Sequence, residues 1–147
     1  MKKVDIYTDG ACSGNPGAGA YAAILIYKGV ERVVKGYEAE TTNNRMELKA
    51  VIEALKALKE RCEVNIYTDS AYITNAYING WINNWVLSGW RTLSNSDVQN
   101  TDLWEELFEL TNMHSVNFIK VKGHSDNEYN NRCDMLARGE ITRAKNS

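Results

Sequence analysis

Four acidic side chains stand where chemistry could be done. Asp9 and Asp69 each close a β-rich hexad, Glu47 stands in the first turn of a helical stretch between them, and Asp134 lies near the start of the last helical stretch. Each has an ordinary explanation. An aspartate after a strand commonly caps or turns the chain, and a glutamate in a first helical turn favours the helix dipole. Convergence is what makes them a set. If the two hexads lie side by side, both aspartates emerge at one carboxyl edge and the crossover helix brings Glu47 to that edge. Repulsion there disfavours folding unless a cation compensates. Carboxylates without Cys or His beside them suit a hard ion, Mg²⁺ or Mn²⁺, rather than zinc. Two such ions about 3.5–4 Å apart could activate a water and stabilise the leaving oxygen of a phosphodiester. His124 lies in a polar, glycine-containing loop ten residues before Asp134. A lone loop histidine is more often idle, but beside such a site its near-neutral pKa would suit proton transfer. His114 has no assigned role.

Small polar residues flank these acids. Gly10, Cys12, Gly14, Asn15, Pro16 and Gly17 follow Asp9, and Asn43-Asn44 precede Glu47. They read either as a glycine-rich turn and a helix cap, or as backbone and side-chain amides brought close to a sugar edge. Neither resembles a phosphate-cradling GxxxxGK[ST] loop, which argues against an ATPase, and no nucleophile elbow is present. Cys12, Cys62 and Cys133 are widely spaced and form no CxxC pair, so reduced thiols are expected rather than a disulfide or zinc site.

The elements that must position the acids follow from the pattern. Val4–Asp9 reads as a strand, Cys12–Gly17 as a loop, and Gly19–Tyr27 and Glu31–Tyr37 as a hairpin turning at Lys28-Gly29. Thr41-Thr42-Asn43-Asn44 signals a helix start, and Leu48, Val51, Ile52, Leu55 and Leu58 carry one apolar stripe to about Arg61. Val64–Asp69 repeats Val4–Asp9 at five of six positions. Strand, helix, strand is the signature of a parallel pair with a right-handed crossover. Helical stretches follow Ser70, with a break at Gly80, and run from Thr101 to Asn112. A fifth strand spans Val116–Val121, and a last helix runs from Asn131 to about Thr142. The order predicts an α/β fold: a five-stranded mixed sheet, three antiparallel strands then two parallel, flanked by helices.

With 147 residues, 44% hydrophobic and 24% charged, the chain has the composition of one globular domain, residues 1–147. No apolar run approaches the ~20 residues of a membrane span, and a cytoplasmic monomer is expected. The net charge of −2 is a poor match for a nucleic-acid partner, but two divalent ions at the acidic edge would add +4 and reverse it locally.

The motifs Tyr7-Thr8-Asp9-Gly10, Gly14-Asn15-Pro16-Gly17, Thr42-Asn43-Asn44-Arg45-Met46-Glu47-Leu48, Tyr67-Thr68-Asp69-Ser70, Val121-Lys122-Gly123-His124 and Asn131-Arg132-Cys133-Asp134 occur in one order and spacing. In this the chain resembles the type 1 ribonuclease H family, bacterial members above all, over about Lys3 to Arg138. The resemblance implies the ribonuclease H fold and two-metal cleavage of the RNA strand of RNA–DNA hybrids, giving 5′-phosphate and 3′-hydroxyl ends. It implies Asp9, Glu47, Asp69 and Asp134 as ligands of Mg²⁺ or Mn²⁺, and His124 as an aid to proton transfer or product release. Gly10, Cys12, Asn15, Asn43, Asn44 and Ser70 match hybrid contacts. Thr42 and Asn100 match a pocket for a DNA phosphate, and Trp81 matches an aromatic of the DNA channel. Ala71 departs from the glutamine often found there. Val86–Asp102 departs from a lysine-rich protrusion, setting Arg91 against Asp97 and Asp102. The alternatives are a hybrid-binding module without turnover and a transposase-like DNA enzyme of the same fold.

Overall fold

The computed structural model describes residues 1–122 and 127–146. Its elements in chain order are β1 (Lys2–Gly14), β2 (Gly17–Tyr27), β3 (Val30–Thr41), α1 (Asn43–Lys56), β4 (Cys62–Thr68), α2 (Ala71–Ile78), α3 (Trp81–Leu87), α4 (Thr101–Asn112), β5 (Ser115–Lys120) and α5 (Glu128–Lys145). The strands form one sheet in the order β3-β2-β1-β4-β5. β1, β2 and β3 pair antiparallel, whereas β4 pairs parallel to both β1 and β5, as the sequence pattern predicts.

The repeated hexads lie side by side in register. Val4 faces Val64, Ile6 faces Ile66 and Tyr7 faces Tyr67, whose rings stack at 4.5 Å. Strand alternation sends Val4, Ile6, Val64 and Ile66 into one core with Leu48, Val51, Ile52 and Leu55 of α1. A second cluster forms around α5, where Ala137 and Ile141 meet Ala20 and Ala22 of β2. Alanines on that strand let the helix close on the sheet. No helix among the described residues is long and apolar enough to cross a membrane.

Several boundaries differ from expectation. Cys12–Gly14 is not loop: β1 continues through it, paired with β2 as far as Gly14 opposite Gly17, so Asn15-Pro16 alone makes the turn. α1 stops at Lys56 rather than near Arg61. Its C-terminus tightens into i→i+3 hydrogen bonds, Ala57 N–H to Ala54 O and Leu58 N–H to Leu55 O, as the chain turns toward β4. Because α1 starts at Asn43, Glu47 is its fifth residue, past the first turn. α5 begins three residues earlier than expected because Asn127 caps it, its side chain accepting from Asn130 N–H at 2.9 Å. The predicted break at Gly80 is real: Gly80 takes a left-handed φ of 74° between α2 and α3.

His114, buried before β5, accepts a hydrogen bond from Cys62 N–H through Nδ1 at 3.0 Å, joining the starts of β4 and β5. An imidazolium has no acceptor, and burial, with the nearby Arg61 charge, holds its pKa below the usual value. The unfolded chain therefore binds this proton more readily. The stability His114 contributes is complete above about pH 6.5 and is lost as pH falls. Urea unfolding from pH 7.5 to 5 should show the parent losing stability faster than His114→Gln, with the two curves running parallel above pH 7.

Candidate active site

Parallel pairing of β1 with β4 ends at Tyr7 opposite Tyr67, and the acids lie just beyond it. Asp9 is therefore not at the end of its strand, which runs on beside β2, but at the point where the sheet opens between β1 and β4. At the end of β4, Thr68 Oγ1 accepts from Ser70 N–H at 3.1 Å, turning the chain at Asp69. Gly10 lets α1 approach. A Cβ there would lie 2.5 Å from Glu47 N and 2.6 Å from Met46 C, so only a glycine allows this helix to seat Glu47 beside Asp9. On the remaining side, Cys133 Sγ donates to Tyr7 O at 3.3 Å and ties α5 to β1 one residue before Asp134.

Asp9, Glu47 and Asp69 each bring a carboxylate oxygen to within 4.8 Å of the others. Asp134 lines the same cavity of about 190 Å³, together with Gly10, Asn43, Asn130 and Asn131, and pairs with Arg138 at 2.7 Å. Burial, then the charges of Asp69 and Asp134, push the Asp9 pKa up to about 8. Burial first, then Asp9 and Asp69, raises that of Glu47 well above the usual carboxylate range. Among the described residues, Glu47 Oε1 and Asn130 Oδ1 are buried without a hydrogen-bond partner. Crowded carboxylates, with buried oxygens in want of a partner, fit a hard divalent cation in their midst.

The remaining predicted residues fall into three groups. Gly10 and Asn43 line the carboxylate cavity. Asn15, Thr42, Asn43, Asn44 and Asn100 line an adjoining cleft with Gln99, and Asn15 Oδ1 accepts from Asn43 N–H at 3.1 Å. Trp81, 42% exposed, lines a separate groove with Trp85, Arg91 and Leu93. Cys12 and Ser70 line none of these. Cys12 Sγ donates to Thr41 O and Gly17 O, and Ser70 caps α2 by accepting from Ile73 N–H. His124 lies outside the described residues. Asn130 escaped the sequence reading. Its spacing of four from Asp134, one helical turn, was the available signal. Arg91, the one basic residue of Val86–Asp102, pairs with Asp97 at 2.8 Å, and Asp102 pairs with Arg45 at 2.7 Å.

A sheet of this order with acids converging where β1 and β4 part defines a class of metal-dependent nucleases. The family model of RNase H matches residues 1–142. A ribonuclease H of Acetivibrio thermocellus is 60% identical over 141 residues, covering 96% of each chain, and one of Chlorobium luteolum is 57% identical, covering 96% of this chain and 97% of that one. Among solved structures, LC9-RNase H1, a type 1 RNase H with the type 2 active-site motif, matches with a TM-score of 0.86. It is 32% identical over 97% of this chain and 73% of that one. The chain belongs to the ribonuclease H family.

Two substitutions test this construction. Asp9→Asn removes a charge that burial and its neighbours oppose. In EDTA at pH 8.5 it should raise Tm by roughly 3 °C, about 1 kcal/mol in a domain of this size. Added Mg²⁺ should stabilise the parent and not the variant, as calorimetry would show. Gly10→Ala should force α1 off β1, costing about 1–3 kcal/mol in denaturant unfolding and lowering turnover.

Proposed function

We propose that this chain is an endoribonuclease that hydrolyses the RNA strand of RNA–DNA hybrids, leaving 5′-phosphate and 3′-hydroxyl ends, with residues 1–147 acting as one catalytic domain. The observation that carries the reading is the three-carboxylate cluster, with a buried Glu47 oxygen that has no partner among the described residues, in a chain of this family. Asp9, Glu47 and Asp69 would hold two Mg²⁺ ions, or Mn²⁺, with Asp134 contributing from the cavity wall. When bound, such ions activate the attacking water and stabilise the leaving oxygen.

The protein's own part is to hold and orient. Burial keeps water from competing for the carboxylate oxygens, and the fixed frame of β1, β4 and α1 sets their spacing. Cys133 anchors the helix that carries Asp134. Asn15, Asn43 and Asn44 offer amide donors and acceptors along one cleft beside the carboxylates, suited to 2′-hydroxyls that separate RNA from DNA. The Gly10 backbone borders the reacting phosphate. Thr42 and Asn100 take a phosphate of the DNA strand, and Trp81 presents its exposed ring to the DNA channel. The hydrogen bonds of Cys12 and Ser70 make them supports of this surface, through which they influence hybrid binding. His124 aids proton transfer or product release.

Cleavage of end-labelled RNA–DNA hybrid, duplex RNA and duplex DNA in Mg²⁺, Mn²⁺ or EDTA tests the reading. Only the hybrid should be cut, and only with metal. Asp69→Asn should lower turnover by at least about 10³-fold at unchanged circular dichroism and weaken Mg²⁺ binding, since it removes a ligand and almost no volume. A hybrid with 2′-deoxy sugars around the scissile phosphate should resist cleavage. Equal cutting of duplex DNA would instead support a transposase-like enzyme, and hybrid binding without cutting a bare binding module.

A further inference from the structure

Asn100 is held in an unusual way. It is the N-cap of α4, yet its side chain makes no capping hydrogen bond, and its backbone takes the left-handed region at φ 60°, ψ 31°. A capping asparagine normally accepts from the first turn of its helix, and a non-glycine residue at positive φ costs energy. Here the amide is turned elsewhere. Its Oδ1 accepts from Arg45 Nη1 at 3.2 Å, and its Nδ2 donates to Tyr72 Oη at 3.0 Å, which also accepts from the buried Trp104 Nε1 at 3.0 Å. Arg45 is itself fixed by a two-pronged pair with Asp102, at 3.0 and 2.7 Å.

These partners are not equivalent. A tyrosine hydroxyl both donates and accepts, so Tyr72 could serve the amide either way round. A guanidinium only donates, so the atom facing it must be the amide oxygen. Arg45 thus selects one of the two amide orientations. With its oxygen engaged by Arg45 and one N–H by Tyr72, Asn100 keeps a second Nδ2–H for a ligand.

We propose that Arg45 is a positioning residue of the cleft: it fixes the polarity of the Asn100 amide so that the group presents an N–H to a backbone phosphate of the DNA strand. The proposal rests on the reading of Thr42 and Asn100 as a phosphate subsite. It assigns to Arg45, whose charge Asp102 already offsets, no direct contact with the phosphate. Without Arg45 the amide can turn over and present its oxygen, which repels a phosphate.

The test is steady-state cleavage of hybrids carrying a single methylphosphonate, scanned along the DNA strand. In the parent, neutralising one position should raise KM about tenfold, the scale of a hydrogen bond to a charged group, with kcat unchanged. Arg45→Met should raise KM for the unmodified hybrid about tenfold, keep kcat within about twofold, and lose the sensitivity at that position. Arg45→Lys, still donor-only, should retain the sensitivity. Asp102→Asn breaks the ion pair but leaves Arg45 to donate, so it should lower Tm as Arg45→Met does while keeping the sensitivity. Full sensitivity in Arg45→Met, or its loss in Asp102→Asn, would overturn the positioning role with the phosphate subsite intact. A parent insensitive at every position would remove the subsite itself, and the proposal with it.

Discussion

Three carboxylates crowded within 4.8 Å, two of them buried, repel one another, and much of the rest of the structure serves to hold them there. At low effective dielectric such charges cannot all ionise without a cation, which is why Asp9 is pushed to about 8 and Glu47 is raised well above the carboxylate range. The opposing force is apolar. Val4, Ile6, Val64 and Ile66 bury against α1 directly behind the acids, and removing such side chains from water stabilises by about 1.5–3 kcal/mol each. The site is a local cost borne by a core next to it, and a divalent ion relieves that cost.

Backbone geometry then decides which acids meet. Gly10 brings α1 onto β1 with no side chain between, so Glu47 reaches Asp9 from the crossover helix. The Thr68–Ser70 turn places Asp69 from β4, and Cys133 fastens α5 at the height of Asp134. Asp134 differs from the other three in pairing with Arg138 and standing outside the tight cluster. Its partner arginine makes it the acid least dependent on a cation for compensation.

The rest of the proposed nucleic-acid face shares this economy of charge. Arg45 is offset by Asp102 and Arg91 by Asp97, so the cleft and the segment after α3 offer amides and aromatic rings more than net positive charge. Of the tryptophans there, Trp85 packs edge-on against Trp104 at 5.4 Å and Trp90 against Phe108 at 6.4 Å. These two fasten the segment to the body, leaving Trp81 at the surface.

The sequence by itself determined what depends on local pattern. The echo of Val4–Asp9 in Val64–Asp69 marked two strands with similar neighbours, and the order strand, helix, strand made them a parallel pair; that they lie side by side in register was decided by the fold. Thr42 before an apolar stripe marked the start of α1, and Gly80 marked a break, because caps and left-handed φ are properties of single residues. The acids Asp9, Glu47 and Asp69 were legible because their convergence follows from strand, helix, strand. Tertiary structure decided what depends on distant partners. Cys12–Gly14 is strand because β2 supplies hydrogen bonds to it, although its small residues have no strand preference of their own. Asp102 pairs with Arg45, 57 residues away, because α1 and α4 bring the guanidinium within 2.7 Å, a proximity that no spacing along the chain encodes.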